Sequence, residues 1–291
     1  MRISGFTFVR NAIDLYYPVV ESITSILPIC DEFIVAAGDS TDGTTELLRS
    51  INDPKVKIIE TVWDPQRFVR GASNADQTNI ALDACTGDWA FYLQADEVVH
   101  EKYLPGLVER MRECLDDRRV QGLLLDYVHF YGDYDHYETS HSWYRREVRI
   151  VRTGIGVRSW HSAQGFRIGT QKLHVKLANA EVYHYGFVRP PLQMRRKALA
   201  LSTVHFGVDA MRGADPDIEF DFGRMWGRKR FTGTQPKVMA QRIAAKNWQV
   251  RPTRSVVNRH DRIGYAVLSF IENRILGFRI GEHRNYILLR S

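Results

Sequence analysis

Trp89–Glu101 reads WAFYLQADEVVHE, and the fold turns on how this stretch is read. Trp89-Ala90-Phe91-Tyr92-Leu93 is an unbroken apolar and aromatic run, the pattern of a buried strand. The run stops at Gln94-Ala95-Asp96-Glu97. Two adjacent carboxylates at the mouth of a buried strand need a reason. One reason is chemical: a hard divalent cation takes oxygen ligands, and Mg2+ uses only one or two carboxylates beside its waters and a substrate phosphate. The other is local: Asp96 caps a helix, with Glu97 in its first turn. Gln94 stands where an aspartate partner for Asp96 would be usual. Its amide can still hydrogen-bond a ribose or a metal-bound water.

Working outward, the first 100 residues alternate strand and helix signals. Strand patterns fall at Ile3–Val9, Phe33–Ala37, Val56–Val62 and Trp89–Leu93. Helical spacing runs over Leu15–Leu27, Thr44–Ile51 and Ala75–Ala84. This alternation predicts a mostly parallel sheet flanked by helices, with ligands outside the carboxyl ends of the strands. A charged helix is expected over 103–119 and an apolar strand over Gly122–Tyr131. From Pro190 onward the pattern turns helical, at Met194–Val204 and Pro236–Trp248.

Two further motifs sit at strand ends. Asp39-Ser40-Thr41-Asp42-Gly43-Thr44 follows the second strand. Its small residues let backbone approach a ligand, and Asp42 or Thr44 caps the next helix. A helix N-terminus there suits phosphate or ribose. Val9-Arg10-Asn11 ends the first strand, and an arginine there reaches a diphosphate. Taken singly, each also reads as an ordinary βα turn or surface residue.

Taken together, these motifs, with Asp31-Glu32-Phe33-Ile34-Val35, Gln77-Thr78-Asn79-Ile80-Ala81-Leu82 and Gly87-Asp88-Trp89, resemble the nucleotide-sugar half of family-2 glycosyltransferases of the GT-A fold. The resemblance implies an α/β, Rossmann-like sheet and a nucleoside-diphosphate sugar as donor. It implies inverting transfer to an acceptor hydroxyl on a glycan or lipid-linked acceptor, with Mn2+ or Mg2+. On that basis Val9, Arg10, Asp39, Asp42, Asn79 and Gln94 are expected to bind the donor. Asp96 is expected to bind the metal, with His184 of Val182-Tyr183-His184-Tyr185-Gly186 as a second ligand. Gln94 departs from the family's Asp-x-Asp pattern. The other readings are a nucleotide- or glycan-binding protein without catalysis, and a nucleotidyltransferase; GFTFVRNA is a poor phosphate loop for the latter.

Transfer needs a general base on the acceptor side. Residues 120–170 offer several acids, of which Glu147, together with His161, is the expected choice. An ion pair with neighbouring arginines is the structural reading of Glu147. Nearby aromatics such as Trp143, Tyr144 and Trp160 suit sugar faces.

Charge divides the chain. Residues 1–186 carry 20 Lys+Arg against 26 Asp+Glu, whereas 187–291 carry 20 against 8, within a net charge of +6. We therefore expect a catalytic domain over 1–186 and a basic, mainly helical extension over 187–291, serving as acceptor platform or lid. The basic half is a solvated surface or meets an anion, such as a diphosphate or the membrane surface. No nucleic-acid reading motif accompanies the basic pI. Three scattered cysteines, Cys30, Cys85 and Cys114, and the lack of a long apolar run point to a cytoplasmic protein with reduced thiols. Peripheral contact at the inner membrane face, through the basic half, extends that expectation.

Overall fold

The computed structural model describes residues 1–258, 261–276, 279–282 and 284–289. Four strands, β1 (Ile3–Val9), β2 (Glu32–Ala37), β3 (Val56–Glu60) and β4 (Trp89–Tyr92), pair in parallel in the order β3-β2-β1-β4. Helices α1 (Val19–Ile26), α2 (Thr44–Arg49) and α3 (Ala72–Asp83) connect them. β1, β2 and β4 are covered on both faces and buried along nearly their whole length, whereas the edge strand β3 is only partly buried. Trp89 and Phe91 face a layer containing Val19 and Ile23 of α1 and Leu107 and Met111 of α4 (Leu104–Glu113). Ala90 and Tyr92 face the opposite layer with Ala81 and Leu82 of α3.

Beyond β4 the sheet becomes mixed. β5 (Glu97–Val99), β6 (Gly122–Tyr131), β7 (His136–Glu138), β8 (Arg146–Arg152), β9 (Val157–Ser159), β10 (Phe166–Ile168) and β11 (Gln171–Phe187) follow in the chain. β8 runs antiparallel between β4 and β6, and β6 pairs in parallel with the long β11. The register between β6 and β11 shifts twice, the second time between His184 and Phe187. Such irregularities re-aim side chains next to functional sites.

After Phe187 come α5 (Pro191–Phe206), β12 (Arg228–Arg230), α6 (Ala240–Ala244), α7 (Ile263–Ile271) and β13 (Tyr286–Leu288). The helix expected over Pro236–Trp248 reduces to one 3-10 turn and the five residues of α6. Residues 212–227 and 245–258 run largely as loops. Gly213, Pro216, Gly223, Gly227 and Pro252 punctuate them, and carboxylates organise them instead. Asp221 accepts hydrogen bonds from Gly223 N, Thr253 Oγ1 and Ser255 Oγ. Asp261 accepts from Arg224 N and Trp226 N, each at 3.0 Å. The extension is woven into the sheet, since β13 pairs with β11 and β12 with β7. Cys30, Cys85 and Cys114 are free thiols.

Candidate active site

At the carboxyl ends of β1 and β4 lies a cleft of about 460 Å³. Phe8, Trp63, Phe68 and Val204 form its apolar wall. Trp63 packs so closely on the chain that a Cβ at Gly38 would stand 2.5 Å from its indole nitrogen. Only glycine fits there. Arg10 stacks over the Trp63 ring at 5.5 Å and pairs with Asp39 at 3.1 Å, while Asp39 also accepts from Trp63 N. Val9, Arg10, Gln94, Asp96 and His184 all line this cleft, and Asp39 joins its rim through Arg10.

Asp42 and Asn79 were expected in the donor set, but their side chains serve the backbone. Asp42 accepts from Ile13 N, Asp14 N and Thr44 N and so clamps two turns together. Asn79 accepts from Ser159 N at 2.9 Å. On α3 it is Asn74, more than one helical turn earlier, that reaches the cleft.

Residues 96 and 97 answer the opening question separately. No helix follows them; Glu97 begins β5. Glu97 is fully buried and takes both nitrogens of the Arg149 fork at 2.8 Å, with a further bond from Tyr127 OH at 2.7 Å. It is a structural anchor. Asp96 faces the cleft instead. Lys197 Nζ donates to Asp96 Oδ2 at 2.7 Å and to Gly186 O at 2.9 Å, and Arg189 Nη2 lies 3.6 Å from the same carboxylate oxygen. Burial alone would raise the Asp96 carboxyl; the Lys197 ammonium and the Arg189 guanidinium outweigh it and hold it well below the usual carboxylate range. Burial pushes the Lys197 ammonium down to about 8, Arg189 pushing the same way and Asp96 opposing. The cluster thus holds two cations against one carboxylate.

His184 is primed by its neighbours. Its pKa is lowered, chiefly by burial, and burial drives that of His129 further down, so both rings are neutral at pH 7. His129 Nε2 lies 2.7 Å from Tyr144 O, which only accepts, so this nitrogen carries the proton. His129 Nδ1 then accepts from His184 Nδ1 at 2.9 Å. The lone pair of His184 Nε2 is left free, 3.9 Å from Asp96 Oδ1. A Cβ at Gly186 would stand 2.4 Å from that nitrogen, so the glycine keeps its place open. One carboxylate oxygen and one imidazole nitrogen fit a two-donor Mn2+ or Mg2+ site completed by substrate phosphate. Among the described residues no group of three or more metal-binding side chains occurs.

A second cavity, of about 660 Å³, opens on the other side of Gln94, which lines both. Glu147 and His161 are found here. Burial pushes the Glu147 carboxyl up to about 7, with Arg149 opposing and Glu97 assisting. Glu147 Oε2 has no hydrogen-bond partner among the described residues. His161 is exposed, at a positive φ of 51°, with its ring against Trp160. Arg279, Gly281, Glu282, Asn285 and Tyr286 of the extension complete the wall.

Lys197 and Arg189 were not anticipated. A signal existed for Lys197: it lies in phase with buried Met194 and Val204 on α5, a charged residue on an inward stripe. Arg189 is fully buried yet precedes two prolines and reads as a loop residue.

A cleft at the strand ends holds a carboxylate–imidazole pair, and an adjoining cavity holds a carboxyl pushed up to about 7, both on an α/β scaffold. The chain belongs to glycosyl transferase family 2, whose model matches residues 9–174. It is 29% identical over 130 residues to the lipopolysaccharide core biosynthesis glycosyltransferase LpsC of Rhizobium meliloti (strain 1021), covering 44% of this chain and 43% of that relative. The match therefore spans less than half of the relative's length. Among solved structures, TarS 1-349 of S. aureus aligns with a TM-score of 0.40 at 13% identity over 70% of this chain and 65% of that one. Glucosyl-3-phosphoglycerate synthase of Mycobacterium tuberculosis, solved with Mn2+, UDP and glucosyl-3-phosphoglycerate, aligns with a TM-score of 0.32 at 21% identity over 45% of each chain.

Proposed function

We propose that the protein transfers a sugar from a nucleoside-diphosphate sugar to an acceptor hydroxyl, with inversion and with a divalent cation. The observation that carries this reading is the pair of cavities meeting at Gln94, with cations, a carboxylate and an imidazole in one and Glu147 in the other. The nucleotide lies against Trp63, Phe68 and Arg10. Its diphosphate faces the surplus positive charge of Lys197 and Arg189. Asp96 and His184 would hold Mn2+ or Mg2+, which neutralises charge on a leaving diphosphate. Glu147 takes the proton of the attacking hydroxyl; a carboxyl titrating near 7 is matched to that task. His161, at the rim of the same cavity, contacts the acceptor. Arg279, Gly281, Glu282, Asn285 and Tyr286, in the wall of that cavity, support the reading of the extension as an acceptor platform.

The acceptor is a glycan or lipid-linked sugar, met in the cytoplasm at the membrane face. Among the described residues no helix is long and apolar enough to cross a membrane. Peripheral contact is supported by α7, where Ile263, Val267 and Phe270 fall on one exposed face of a basic half.

The test is thermal shift with UDP, GDP, dTDP and CMP, each with Mn2+ or EDTA. One diphosphate should raise the melting temperature, and Mn2+ should enlarge the rise. His184→Phe should keep the diphosphate effect and lose the Mn2+ increment. No response to any nucleotide would remove the donor-site reading.

A further inference from the structure

The second cavity contains a guanidinium that the transfer chemistry leaves unused. Arg167, at the centre of β10, is only 7% exposed and lines the cavity wall. Its Nε and Nη1 are buried with no hydrogen-bond partner among the described residues. The Trp160 ring, 5.4 Å from its Cζ, packs against the guanidinium. Burial lowers its pKa, with no compensating carboxylate.

The other arginines around it are accounted for. Arg145 pairs with Glu282 at 3.2 Å, Arg146 with Asp126 at 2.6 Å and Arg149 with Glu97 at 2.8 Å. Arg279, 8% exposed, donates to the carbonyls of Thr139, His141 and Trp143, but its Nε has no partner. Neither Arg167 nor Arg279 has a carboxylate within ion-pair distance among the described residues. A buried cation with unmade hydrogen bonds is costly, and an apolar side chain of similar length would cost less. The guanidinium fork is the geometry that receives a carboxylate or phosphate in two parallel bonds.

We propose that the acceptor carries an oxyanion, a carboxylate or a phosphate monoester, which Arg167 receives in this cavity. The proposal rests on reading the cavity as the acceptor side. Arg167 is then a specificity-determining residue: it selects anionic sugars over neutral ones and leaves donor binding untouched.

The experiment is calorimetric titration of the full chain with glucose, glucuronate and glucose 6-phosphate at matched ionic strength. At least one anionic sugar should bind at least tenfold more tightly than glucose, and which one does so distinguishes carboxylate from phosphate. Arg167→Gln should lose that preference while keeping the melting-temperature rise caused by the nucleotide. Should the glutamine variant fail to fold, Arg167→Met replaces it. The methionine should lose the anion and, without ligand, melt at or above the wild-type temperature, whereas an arginine kept for structure would lower it. Glucose binding as tightly as both anions overturns the proposal, as does undiminished anion binding in either variant. Anion binding through Arg167 without any nucleotide response would instead fail the donor reading and leave the oxyanion site standing.

Discussion

Two side chains in this site have titrations displaced toward neutrality, and each sets a pH limb. Glu147 is protonated below about 7 because burial disfavours its charge. Acting as base, it works only when deprotonated, so the transfer rate should climb as pH rises through 7. Glu147→Gln should lower the rate by about 10²–10⁴-fold and abolish that limb, with the nucleotide-induced thermal shift unchanged. Initial rates from pH 5.5 to 8.5 check both. Lys197, depressed to about 8, loses its charge above that value. Donor affinity should therefore weaken as pH rises from 7 to 9, and Lys197→Met should be weak and flat over that range. Nucleotide titrations at the two pH values decide. Aspartate, arginine and glutamine at Asp96, Arg10 and Gln94 were legible in the sequence because a strand-end position advertises itself. Lys197 was not, because its partner is 101 residues away.

At the scale of elements, the β4–β5 turn is pinned by one buried ion pair. Glu97 and Arg149 lie on β5 and β8, both nearly inaccessible, and Glu97 Oε2 also accepts from Gln94 N at 3.0 Å. Removing one partner strands a buried charge. Arg149→Met should therefore cost about 3–5 kcal/mol, read as a shift in the urea midpoint. Glu97→Gln combined with Arg149→Met should recover part of that loss. If the double variant is less stable than the single, the pair does more than balance charge. In the site's other turn, Gly186→Ala would drive a methyl against His184 Nε2. It should abolish the Mn2+ increment in nucleotide binding while the protein stays folded, which calorimetric titration and circular dichroism together report.

At the scale of the whole molecule, the extension and the first 186 residues act as one sheet. β13 extends the sheet edge at β11, and its segment walls the second cavity. Ending the chain at residue 258 should leave nucleotide binding and abolish transfer, because Lys197 stays while Arg279 to Tyr286 go. Activity with an added acceptor, set beside the nucleotide shift, separates the two. The exposed face of α7 belongs to the same scale. Phe270→Asp should reduce co-sedimentation with anionic vesicles and spare turnover of a water-soluble acceptor.

The sequence by itself determined the parallel half of the fold. Apolar strands alternating with helices leave few other arrangements, since each strand must be covered on both faces and each helix has one apolar side. It also marked Val9, Arg10, Gln94 and Asp96, because strand ends in such a sheet converge on one cleft, and, through the family resemblance, His184. Tertiary structure decided which carboxylate is a buried anchor and which faces the cleft. Asp96 and Glu97 are adjacent and chemically alike, but Asp96 stays in the β4–β5 turn while Glu97 starts β5, and they meet different partners, Lys197 for the first and Arg149 for the second. It likewise withdrew Asp42 and Asn79 to backbone work, and brought Lys197 to one cavity and Arg279, Gly281, Glu282, Asn285 and Tyr286 to the other. Those contacts join segments far apart in the chain, and no local pattern records a partner so distant.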